Sequence, residues 1–70
     1  MALRLRVGAT YLDRDGILTI ISKRATPSIA QYGYAFIGVT SKGQTFSFTH
    51  DGFFYADKTP DTSDLVKRVN

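Results

Sequence analysis

Lys23 and Arg24 stand at the head of a loop that leads to Tyr32 and Tyr34, and a cation followed by phenol rings is the combination that base-bearing phosphate ligands require. Lys or Arg neutralises a phosphate, and an aromatic ring stacks on a base. Arg14, beside the first Asp-Gly step, and Tyr55, three residues past the second, extend the set. The candidate ligand residues are therefore Arg14, Lys23 and Arg24 for phosphate, and Tyr32, Tyr34 and Tyr55 for the base. A buried phenol needs a hydrogen-bond partner at its tip, which places the three tyrosines at a pocket rim or an interface and leaves Phe46, Phe48 and Phe54 to the core. The same residues would equally make an ordinary wetted surface.

Other chemistries find less support. Asp13 and Asp15 bracket Arg14 like the opening of a calcium loop, but the further ligands and the closing Glu are missing, so no metal is expected. His50 and Asp51 are adjacent, and neighbours on a strand point to opposite faces, a poor arrangement for general base work. Neither a catalytic role nor a cofactor is expected.

Seventy residues with a net charge of +3 make one domain, residues 1–70, with a thin core. There is no Cys and only one His, which excludes disulfides and argues against structural zinc. Chains this short are commonly supported by disulfides, metal or a partner subunit. A homo-oligomer is expected, at least a dimer, burying Leu3, Leu5 and one aromatic strand face between subunits. Nine Lys and Arg against six Asp and no Glu favour anionic partners, though the excess would also serve solubility. The start of the chain, Met1 to Val7, alternates instead of forming an apolar run, so no signal peptide, membrane span or membrane partner is expected and the protein is placed in the cytoplasm.

What must position these residues is a small sheet. Asp15-Gly16 and Asp51-Gly52 interrupt runs of aromatic and β-branched residues, and Asp-Gly between such runs signals a hairpin with a two-residue turn. Leu3, Leu5 and Val7 share one face of a strand or extended arm, with Arg4 and Arg6 on the other. Ile17 to Ser22 is apolar on both faces, as a doubly covered strand would be. Lys23 to Gln31, containing Pro27, is the longest loop. Tyr32 to Val39, Thr45 to Thr49 and Phe53 to Ala56 read as strands, with a turn at Lys42-Gly43. Leu65 and Val69, four apart behind Thr62, Ser63 and Asp64, read as a short C-terminal helix. The fold class is all-β or β-rich α+β: a curved antiparallel sheet or barrel-like meander of four to five strands closed by that helix.

Taken in order, Tyr11-Leu12-Asp13-Arg14-Asp15-Gly16, Ile17 to Ile21, Gly33 to Val39, Phe46 to Phe53 and Ser63-Asp64-Leu65-Val66 resemble a family of very small proteins encoded by bacteriophages and prophages. Its members run Tyr-x-x-Arg-Asp-Gly, a strand, a variable loop, a second Asp-Gly hairpin and an Asp-Leu-Val close. Leu12-Asp13 departs from the polar or basic residues common there. The resemblance implies an anti-defence protein in the host cytoplasm that sequesters a nucleotide immune signal without catalysis, as a sponge with pockets between subunits. Two alternatives stand beside it: a small barrel binding single-stranded nucleic acid, and an inhibitor that docks on a host defence protein.

Overall fold

A computed structural model describes residues 3–69; Met1 and Ala2, the first part of the alternating start, lie outside the described residues. Five strands form one antiparallel sheet: β1 (Thr10–Asp13), β2 (Leu18–Arg24), β3 (Phe36–Thr40), β4 (Thr45–Phe48) and β5 (Leu65–Arg68). Their spatial order is β4-β3-β2-β1-β5, so the first four make a meander and the last returns beside the first. β4 and β5 remain unpaired to one another, so the sheet does not close into a barrel.

The turns explain the register. In the β1–β2 turn the Asp13 amide donates to the Ile17 carbonyl, Gly16 donates to the Asp13 carbonyl, and Asp13 Oδ1 accepts the amides of Asp15 and Ile17. The β3–β4 turn repeats this pattern with Thr40, Gly43 and Gln44, and the segment after β4 repeats it with Thr49, Gly52 and Phe53. Each is a three-residue loop closing on a glycine at positive φ, 81°, 81° and 95° at Gly16, Gly43 and Gly52. Asp15 and Asp51 do not adopt positive φ, so the expected two-residue turn, which needs it at both central residues, is replaced by a turn with a glycine bulge.

Each strand sends one large side chain inward. Tyr11, Ile21, Phe36, Phe48 and Leu65 meet Leu5 and Ala9 of the N-terminal arm in a single core, with Leu3, Ala35, Phe46 and Phe54 packed around it. Phe46 meets Phe48 and Phe54 edge to face, the geometry favoured by ring quadrupoles. Gly38 lets Thr19 and Phe48 close over β3.

Several expectations are corrected. The C-terminal segment is strand β5, not a helix: Tyr11 pairs with Arg68, Leu12 with Lys67 and Asp13 with Leu65, with a bulge at Val66. β2 runs on to Arg24, and the loop that follows contains one helical turn, α1 (Pro27–Ala30), where an irregular connection was expected. Tyr32 and Tyr34 precede β3 instead of lying on it, and residues 53–56 pass through a bend into a turn and form no strand. Leu5 is buried inside its own chain, so it is not free to pack between subunits. β2 is covered on one face only: Leu18 and Ile20 are 42% and 52% exposed, and the register places Leu12 and Val39 beside them on the same outer face. No helix among the described residues is long and apolar enough to cross a membrane.

Candidate functional site: an arginine cleft

The arm that carries Arg4 and Arg6 is held from both edges. On one edge the Tyr11 hydroxyl accepts the Arg6 amide at 3.0 Å and donates to the Arg4 carbonyl at 3.1 Å. On the other edge the Leu5 amide donates to the His50 carbonyl at 3.1 Å. Bonds leaving alternate edges are those of extended backbone, in which Leu5 points one way and its two neighbours the other. Leu5 enters the core, and Arg4 and Arg6 are exposed. Beyond them the Gly8 amide bonds to the Ile21 carbonyl and carries the chain into β1.

Opposite this arm lies the end of β2. Arg24 pairs with Phe36 in the ladder, and its guanidinium carbon sits 5.5 Å from the centre of the Phe36 ring. Between arm and strand end is a cleft of about 490 Å³ lined by Arg4, Leu5, Arg6, Val7, Arg24 and Phe36. A second recess of about 290 Å³ shares Arg4, Leu5, Arg24 and Phe36 with it and adds Ala35 and His50. No aspartate lines either space. Neither Arg4 nor Arg6 has an ion-pair partner among the described residues.

The acids are gathered elsewhere. All six Asp occupy the end of β1, its turn, or the crossover from β4 to β5. There the buried Asp64 accepts the Phe54 amide through Oδ1 at 2.9 Å, and the Asp61 amide and Arg14 Nε through Oδ2 at 3.0 and 3.4 Å. Asp51 accepts Thr49 Oγ1 and pairs with Lys58 Nζ at 2.9 Å. Burial alone would raise the Asp51 pKa, but the hydrogen bonds from Thr49, Lys58 and its own amide, with the Lys58 charge, bring it below the ordinary carboxylate value. Charge is thus segregated, and two of the basic residues, Arg14 and Lys58, are spent within the acidic part.

The structure brings together only part of the expected ligand set. Arg24 lines the cleft, and Lys23 is next to it in β2 without lining it. Arg14 belongs to a separate cavity of about 200 Å³ with Asp51 and Asp64. Tyr32 is 68% exposed, Tyr34 is half-buried and Tyr55 meets the Phe54 ring edge to face at 5.1 Å; none lines the arginine cleft. Gly33 sits so close to Ala56 that an added Cβ would lie 3.2 Å from the Ala56 methyl, which joins the tyrosine loop to the crossover. Arg4, Arg6, Tyr11, Phe36 and His50 were not foreseen as site residues. The alternation of Arg4 and Arg6 with apolar neighbours was the one visible signal.

The Tyr11 hydroxyl is the part of this site open to the simplest test. Tyr11→Phe keeps the ring in the core and removes both bonds to the arm, an expected cost of about 1 kcal/mol. Chemical denaturation should show that loss, and hydrogen exchange at the Arg6 amide should quicken more than exchange within β2 and β3. Unchanged exchange at Arg6 would mean that the arm is held by Leu5 alone.

Among the described residues no group of three or more His, Cys, Asp or Glu is placed to hold a metal ion. No family model, no curated protein and no solved structure matches the chain.

Proposed function

We propose that this protein binds a base-bearing phosphate ligand in the cleft of Arg4, Arg6 and Arg24 and holds it without turning it over. The observation that carries this reading is the convergence of three arginines on one cleft that no carboxylate lines. Arginine suits the role because its planar donor fork matches phosphate oxygens and keeps its charge at all physiological pH values. The volume falls in the range of small-ligand sites. Binding is favoured over turnover because the Asp51 carboxylate is engaged by Thr49 and Lys58 and does not orient the imidazole of His50.

In the setting that the sequence resemblance suggests, a phage protein acting in the host cytoplasm, such holding would sequester a nucleotide immune signal. The strand-binding reading uses the same cleft, with the exposed Tyr32 as a stacking surface outside it. Calorimetry against ATP, ADP-ribose, a cyclic dinucleotide and a mixed-sequence oligonucleotide tests the proposal. Saturable binding is expected, with the ligand recovered intact. Charge-assisted contacts to phosphate contribute about 1.5–3 kcal/mol each, so Arg24→Ala should weaken binding about tenfold or more while the thermal transition is retained. Absence of binding, or binding indifferent to Arg24→Ala, would contradict the site and favour docking on a host protein; a ligand recovered as products would contradict the non-catalytic role.

A further inference from the structure

We infer that the ligand of the arginine cleft carries at least two phosphates separated by a nucleoside, as in a phosphodiester-linked oligonucleotide, cyclic or linear, and not a pyrophosphate. The inference rests on the reading of the cleft as a phosphate site and goes further by naming the ligand class.

Arg4 and Arg6 are two residues apart on extended backbone, so their side chains leave the same face with origins about 7 Å apart. That spacing is held by the buried Leu5 between them, by the Tyr11 hydroxyl across the Arg4 carbonyl and Arg6 amide, and by the Leu5 bond to His50. Successive phosphates of an oligonucleotide are a sugar's width apart, a separation of the same order, so each can meet its own guanidinium. The phosphates of a pyrophosphate share one oxygen and lie far closer. To reach such a pair both arm side chains would have to bend toward one another from the positions in which the extended backbone sets them. Arg24, across the cleft and seated on the Phe36 ring, supplies a third contact that either kind of ligand can use.

The test is calorimetric, on the full chain, with four probes: linear trithymidylate, a cyclic dinucleotide, ADP and inorganic pyrophosphate. At least one phosphodiester probe is expected to bind tenfold or more tightly than ADP, and which of the two is tighter identifies the source. Arg4→Ala and Arg6→Ala should each erase most of that preference, whereas Arg24→Ala should weaken all binding probes alike. Both arm side chains are exposed, and Arg4→Gln and Arg6→Gln retain the apolar stem should either alanine variant fold poorly. ADP or pyrophosphate binding as tightly as the phosphodiesters, with dependence on Arg24, overturns this inference and leaves the phosphate site standing. A preference that survives both arm substitutions also overturns it. Silence of all four probes overturns the inference and the phosphate site together.

Discussion

Asp64→Ala should destabilise the protein by about 3 kcal/mol. Asp64 is 2% exposed, and its carboxylate accepts the Phe54 and Asp61 amides and Arg14 Nε. Removing it leaves two backbone donors of the crossover without their acceptor and loosens the segment that joins Phe54 to the core; hydrogen bonds to a charged group contribute about 1.5–3 kcal/mol each. A domain of this size has only about 5 kcal/mol in total, so much of its stability would be lost. Asp64→Asn keeps an acceptor oxygen and should cost less. Arg14→Ala should cost under about 1 kcal/mol, because the arginine side chain is half-exposed and water replaces its contact. Chemical denaturation orders the three variants, and an Arg14→Ala loss equal to that of Asp64→Ala would show that the ion pair, not the amide bonds, holds the crossover.

The second large effect is steric. A Cβ at Gly38 would lie 2.8 Å from Thr19 Cγ2, 3.0 Å from Phe48 Cε2 and 3.3 Å from Ile21 Cδ1. Thr19, Ile21 and Phe48 are all buried, and Thr19 already turns its methyl toward Gly38 with its hydroxyl unpartnered among the described residues. Nothing there can withdraw cheaply. Gly38→Ala should therefore cost about 2 kcal/mol, overpacking outweighing the roughly 0.5–1 kcal/mol that alanine would otherwise contribute over glycine within a strand. A variant as stable as the parent would mean that the side chains of β2 and β4 over Gly38 yield without penalty. Thr19→Ser, which removes the clashing methyl, should partly restore the Gly38→Ala variant.

The turns were the legible part of the fold. Gly16, Gly43 and Gly52 each follow a short polar stretch, and an Asp or Thr stands three residues before each to cap the loop. Antiparallel pairing around the first two follows directly. The C-terminal strand was not legible because apolar residues four apart, like Leu65 and Val69, satisfy a helix stripe and a strand equally well. Pairing with β1 decides the matter, and that contact is non-local. The same limit applies to the site. Arg24 was visible as a cation beside a loop, but Arg4 and Arg6 join it because the Tyr11 hydroxyl, the Leu5 bond to His50 and the buried Leu5 side chain hold the arm across from β2. Arg14 looked equally suitable in sequence and is claimed instead by Asp64 from the far end of the chain.

Amide and arginine side-chain resonances followed by NMR during titration with the tighter-binding of linear trithymidylate and the cyclic dinucleotide test the arginine cleft most directly. Saturable shifts are expected at Arg4, Leu5, Arg6, Arg24, Phe36 and His50, with Arg14, Lys58 and the outer row of Leu18, Ile20 and Val39 unmoved. Shifts centred on Arg14 or on that outer row, with the arm silent, would contradict that site.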